Sequence, residues 1–312
     1  MIETKLNNIF GEVHETELVL LGQITIENIG LFDFHPRDVE PIRQDIFQPN
    51  HFSVFDTLLT LAEKGKISLD YHFEEFMGMY VIDSINGKKN WWYRACYHQG
   101  NPAQMQPPRC REINIMPMDQ YPYKDKMVII FYQVPEEDLN IRYNAFRIET
   151  ERRKASNGRV IIPIFSIKGQ TENMNFENVE VKPHNIRGDM FKEGVVTAID
   201  SIMTLGDEKR LTYDLTWREK IGETEIKGYY VTRINEDKSF GRCGFVYECG
   251  AYPEYRAFSG NAIHVTADIR ILNSPTYMEF MWNCIEPTRI FLQRPRIMEA
   301  YGKEGKPIKR LI

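Results

Sequence analysis

Ile42-Arg43-Gln44-Asp45-Ile46-Phe47, continued by Ser53-Val54-Phe55-Asp56-Thr57-Leu58-Leu59-Thr60-Leu61, has a second version in the same chain. It is Ile186-Arg187-Gly188-Asp189-Met190-Phe191, continued by Thr197-Ala198-Ile199-Asp200-Ser201-Ile202-Met203-Thr204-Leu205, a constant 144 positions later (187 − 43 and 200 − 56). The same register carries Lys66–Asp70 onto Arg210–Asp214. Beyond it the offset drifts, with Tyr80-Val81 set against Tyr230-Val231 and Trp92–Cys96 against Phe245–Cys249. Agreement inside elements with drift in loops marks a duplicated domain. A period this long means two whole domains, not a stack of short units.

The bulk numbers fit that reading. A chain of 312 residues has room for two domains that each bury a core. Its 42% hydrophobic and 27% charged content is that of an ordinary globular protein. Sixteen tyrosines within a 12% aromatic fraction lean toward β-structure. A net charge of −5 with dispersed basic residues excludes a phosphate-backbone footprint, so nucleic acid is not an expected partner. No run approaches the ~18 apolar residues of a membrane span. Met1–Leu6 has no apolar signal segment, which predicts a cytoplasmic chain, with a processed cell-surface or secreted form as the alternative. Cys96, Cys110, Cys243, Cys249 and Cys284 form no CxxC pair, which argues against zinc-ribbon or iron–sulfur ligation and predicts scattered, buried free thiols.

Taken in order, residues 17–27 read as a strand and 54–64 as a helix whose Phe55, Leu58, Leu59 and Ala62 share one face. Ser53 with Asp56, and Thr197 with Asp200, form a capping box at the start of each helix. Strands follow at about 66–73, 79–86 and 90–97, with Asn86-Gly87 as a two-residue hairpin turn. A strand at 128–132 and a linker helix with Leu139, Tyr143 and Phe146 on one stripe complete the first copy. The second copy starts at Val160, with Pro163 suggesting an edge strand or bulge. It continues with helix 198–207 and strands near 210–217, 228–234, 243–249 and 262–272. Residues 277–282 are one further candidate strand, and 287–312 form a basic tail.

At Ser53–Leu59, Tyr80–Gly87 and Trp91-Trp92-Tyr93 the first copy resembles the transcobalamin-like C-terminal β-grasp domain, found in vitamin B12 carriers and in bacterial and archaeal proteins of unknown function. The resemblance covers about 17–133, and extends to 159–272 mainly through the repeat. There Asn235-Glu236 stands for Asn86-Gly87, and Gly244-Phe245-Val246 for the tryptophans. It implies an α+β chain of two tandem β-grasp-like domains, each one capped helix on a small mixed sheet, at 1–134 and 159–275. A linker helix at 135–158 and an extension at 276–312 complete the division. It also implies a corrinoid or other tetrapyrrole as a candidate ligand, although no cofactor is evident in the residues themselves. A structural accessory subunit of a redox enzyme is a further alternative, because β-grasp domains also carry [2Fe–2S] clusters; the cluster cysteines are missing here.

The candidate binding residues are Trp91, Trp92, Tyr93, Arg94 and Tyr80, with Phe245, Tyr247 and Tyr230 as second-copy equivalents. Consecutive strand residues alternate between faces, so at least one tryptophan should face away from the core unless a neighbour covers it. A flat aromatic surface suits a ring-bearing ligand or a protein partner; equally, aromatic pairs often only stabilise sheets. Arg43 with Asp45, Arg187 with Asp189, and the capping residues Ser53, Asp56, Thr197 and Asp200 read as structural. His72, Glu74, Glu75 and His98 lack a ligand spacing, so no metal site is expected. There is no GxSxG, HExxH or phosphate-loop motif. The expectation is therefore a non-enzymatic binding or assembly protein for a protein partner or a small flat ligand.

Overall fold

A computed structural model describes residues 21–97, 116–125, 127–221, 224–241, 243–250 and 265–284. Its class is mixed α+β. In the first half, β1 (Gly22–Ile26) and β2 (Gly30–Phe34) form a hairpin, followed by α1 (Val54–Glu63). A separate two-stranded hairpin, β3 (Leu69–Glu74) and β4 (Met79–Ile85), precedes β5 (Trp91–Tyr97) and β6 (Met127–Gln133). The main sheet runs β2-β1-β6-β5, with β1 and β6 parallel at its centre. Helix α2 (Glu136–Ala155) leads to the second half. That half comprises β7 (Val160–Lys168), β8 (Asn173–Val181), α3 (Ala198–Asp207), β9 (Tyr213–Ile221), β10 (Thr224–Ile234), β11 (Asp237–Lys238), β12 (Cys243–Gly250) and β13 (Tyr277–Cys284). Its sheet repeats the order as β8-β7-β13-β12, again with a parallel central pair.

Local chemistry explains the helices. Ser53 caps α1, and the Asp56 carboxylate accepts the Ser53 N–H at 2.6 Å and the Ile42 N–H at 2.8 Å. Asp200 does the same in α3, accepting from the Thr197 and His184 N–H groups. Each carboxylate thus ties the first helical turn to the loop before it. Gly65 ends α1 in the left-handed region at φ 64°, where a side chain would be strained. Leu58 and Leu61 then point into a core shared with Ile24, Ile129 and Phe131, while Ile202 and Leu205 share a second core with Ile162 and Phe280.

Several expectations need correction. β2 and β8 lie where no strand was expected: β2 is only five residues long and exposes Leu31 beside Asp33, and the outward face of β8 is polar. Asn86 and Gly87 do form the turn, at φ 50° and 74°, and Ile85 and Lys88 exchange both backbone hydrogen bonds. Yet β4 pairs with β3 and β5 with β6, so the hairpin ends after that one pair. β7 is an internal strand, so Pro163 marks no edge; the pairing with β8 skips it, and Asn178 opposite sits at φ 50°. β13 is central to the second sheet, so that unit continues to Cys284 rather than ending at 275. The expected strand near 262–272 is a turn-rich loop over residues 265–272, and 261–264 lie outside the described residues, as does the tail 287–312. Cys243 and Cys284, expected as free thiols, are joined in a disulfide across β12 and β13, whereas Cys249 is free and buried.

The halves meet reciprocally. Gln48 N–H donates to the Met190 carbonyl at 2.9 Å, and Lys192 N–H to the Ile46 carbonyl at 2.8 Å. Each contact maps onto the other by the 144-residue offset, so the seam has the self-complementary form of a two-fold interface. Phe47 and Phe191 pack against each other at its centre, their rings tilted and their centroids 5.7 Å apart.

Candidate functional site

The repeated Arg-x-Asp loops at this seam organise the two hairpins β3–β4 and β9–β10. Arg43 clamps Asp45 with two bonds, Nε at 2.8 Å and Nη2 at 2.7 Å, while Nη1 donates to Asp119 at 2.8 Å. The same Asp119 oxygen accepts the Tyr80 N–H at 3.1 Å, which fixes β4 to the loop. In the second half Arg187 holds Asp189 at 2.8 and 2.9 Å and Asp268 at 2.9 Å, and Asp268 accepts the Tyr229 N–H at 3.0 Å. Asp119 and Asp268 are fully buried, and the second oxygen of each has no hydrogen-bond partner among the described residues. Burial pushes the Asp119 carboxyl up to about 6 against the pull of Arg43, whereas Arg43 holds the exposed Asp45 below its ordinary value.

Above each guanidinium lies an aromatic pair. Phe73 and Tyr80 are cross-strand partners with rings 5.0 Å apart, and Arg43 sits 5.7 Å from the Phe73 centroid. Trp217 and Tyr229 are partners with rings likewise 5.0 Å apart, and Arg187 sits 5.3 Å from Trp217. Tyr80 in turn stacks on Phe55 of α1 at 5.6 Å, and Tyr71 meets both rings edge-on. Phe73 and Trp217 are each 37% exposed, and Tyr71 is 40% exposed. Because each arginine spends four N–H bonds on two carboxylates and a backbone carbonyl (Gly78 for Arg43, Lys227 for Arg187), its main role is to support the ring from below. What remains at the surface is an apolar ring with a carboxylate rim, Asp45 or Asp189. Such a surface can stack a flat group or grip an apolar side chain.

The residues expected to bind lie elsewhere or deeper. Trp91, Trp92 and Tyr93 are all fully buried, because α2 covers the outward face of β5. Trp92 stacks on Phe146 at 6.2 Å with the Arg142 guanidinium 5.3 Å from its ring, while Trp91 and Tyr93 join the inner core. Phe245 and Tyr247 are buried too, and the Tyr247 hydroxyl donates to the Val265 carbonyl as Tyr93 does to Met116. Arg94 lies half-buried over the Tyr132 ring at 4.5 Å. Tyr80 belongs to the partly exposed cluster with Phe73, Tyr71 and Phe55. Its structural counterpart is Tyr229, not Tyr230, since both donate to the equivalent aspartate at an offset of 149 (229 − 80 and 268 − 119). In β12 the offset is 154 (247 − 93), so Cys249 stands opposite Ala95 rather than Cys96. His72 faces Asp83 at 2.9 Å, and no metal-binding group of three ligands is found among the described residues; His98 lies outside them.

Asp119, Asp268, Phe73, Trp217 and Tyr229 were not singled out from sequence. Phe73 and Trp217 keep the 144 offset, and extending that register by three residues past Asp70 and Asp214 reaches them. No family model, curated protein or solved structure matches this chain.

Proposed function

We propose that the chain is a non-enzymatic binding or assembly protein of two β-grasp-like units that presents one arginine-backed aromatic surface on each β-hairpin. The helix packed on a sheet with a parallel central pair, repeated in both halves, supports the β-grasp reading. The observation that carries the function is the pair Phe73 over Arg43 and Trp217 over Arg187, half-exposed at equivalent positions. The ligand is a protein partner's apolar side chain or a flat small molecule, and a corrinoid or other tetrapyrrole is the flat ligand the geometry can stack. The Cys243–Cys284 disulfide supports work in an oxidising compartment rather than in the cytoplasm.

The test compares the untagged wild-type protein, purified from its own source, with the Phe73→Ala/Trp217→Ala double variant. Native mass spectrometry reads bound partners, and titration with cobalamin and with haem reads absorbance and tryptophan quenching. Binding in the wild type that is lost in a variant of unchanged melting temperature supports the proposal. Equal binding by both proteins, or none by either, sinks it.

A further inference from the structure

Each aromatic hairpin is held in place by the opposite half of the molecule. Lys124, in the loop after Asp119, reaches across the seam and donates to the Ile226 carbonyl at the start of β10, at 2.5 Å. The equivalent of Lys124 is Asn273, at the 149 offset, and the equivalent of Ile226 is Met77. Asn273 Nδ2 donates to the Thr150 hydroxyl at 2.7 Å, and that hydroxyl donates to the Met77 carbonyl at 2.9 Å. The same loop position therefore grips the same hairpin carbonyl in both directions, directly in one case and relayed through α2 in the other. Lys154 of α2 adds a bond to the Glu75 carbonyl at 2.8 Å, and Arg152 binds the Ser274 carbonyl and Thr276. A second path runs from each hairpin through Asp119 or Asp268 to its arginine, and then to the paired loops at Phe47 and Phe191.

We infer that the two hairpins are conformationally coupled, so that ordering one stabilises the other and occupancy of one aromatic surface raises the affinity of the second. The coupling is reciprocal by linkage. Its second clause rests on the binding reading above, whereas the mechanical coupling does not, and the experiment below needs no ligand.

Hydrogen–deuterium exchange is followed by mass spectrometry on the full chain and on two variants. Lys124→Met removes a first-half donor and is expected to speed exchange about tenfold in β9–β10 of the second half. Thr150→Val cuts the relay and is expected to speed exchange several-fold in β3–β4. Each variant should also speed exchange, more weakly, in the other hairpin, while β1–β2 stays unchanged. Changes confined to the mutated loop, or to one hairpin with the other silent, would overturn the coupling. If Lys124→Met fails to fold, Thr150→Val alone decides, because its effect on β9–β10 must still appear.

Discussion

The two halves share one frame but secure the outer strand of their sheets by different means. In the first, the outward face of β5 carries Trp92, buried beneath Phe146 and Arg142 of α2. In the second, Val246 takes the place of Trp92, and the strand is instead tied to β13 by Cys243–Cys284. The residues matching those cysteines in the first half are Lys89 and Pro135. The inner positions barely change, since Tyr93 and Tyr247 make the same hydroxyl bond in both. The difference teaches that the tryptophans of β5, both fully buried, report how this strand is covered. A packed helix and a covalent staple are alternative solutions to one problem.

The largest effect should come from removing the packed solution. Trp92→Ala empties a large volume under α2 and should cost about 3–5 kcal/mol. Val246→Ala should cost about 1 kcal/mol or less, since fewer and less buried atoms are lost. Urea denaturation of both variants measures the contrast; equal costs would break the comparison. Next comes the staple. Replacing Cys243 and Cys284 by serine opens a loop with a sequence separation of 41, for which loop-closure entropy predicts a loss of about 3–4 kcal/mol. The loss should appear as faster exchange in β12–β13, with β5–β6 unaffected.

These contrasts also show how much could be read from sequence. The repeat at Arg43–Leu61 and Arg187–Leu205 was legible because a capping box and one apolar helical face require fixed spacings, which both copies keep. The linker helix was legible from its stripe, and α2 buries Leu139 and Phe146. Orientation across a strand was not, because whether Trp92 faces solvent depends on a helix more than forty residues later. The pairing of β4 and β5 failed for the same kind of reason. Asn86-Gly87 dictates a turn, but strand partners are chosen by non-local packing. The aspartates at 119 and 268 were hidden because loops of different length shift the register that would align them.

A third contrast is one of charge. Glu149, on α2, faces Arg270 of the second half and Arg152 of its own helix, and burial pushes its carboxyl up to about 7. Its folded pKa lies above the unfolded value, so folding takes up a proton between about 4.5 and 7. Stability therefore falls as pH rises through that window, by on the order of 3 kcal/mol. Lys124 works in the other direction. Burial lowers it to about 8, with Asp268 opposing and Arg187 and Lys227 assisting, so stability rises as pH goes from about 8 to 10.5. Glu149→Gln should flatten the acidic limb and Lys124→Met the basic limb, read from denaturation midpoints across pH. A limb that persists in its variant would assign the dependence elsewhere.

The smallest expected difference concerns the feature the halves share most closely. Ser53→Ala removes a hydroxyl that accepts the Asp56 N–H at 3.3 Å and donates to the Asp56 carboxylate at 2.6 Å. The loss should be about 1 kcal/mol, the usual cost of an N-cap. Thr197→Ala removes the corresponding hydroxyl from α3, but there the Asp200 N–H also bonds the Thr197 carbonyl at 3.1 Å. Asp200 is further held by the His184 ring at 3.0 Å, whereas the bonds Asp56 makes come from Ile42 and Ser53. The α3 cap therefore keeps more of its bonds when the hydroxyl goes, and Thr197→Ala should cost about half as much as Ser53→Ala. Replacing His184 by alanine should raise the cost of Thr197→Ala to that of Ser53→Ala. A double-mutant cycle between Thr197 and His184 showing no interaction energy would mean that the two caps are equivalent after all, and that the histidine serves only the surface bond to Asp207 at 3.1 Å.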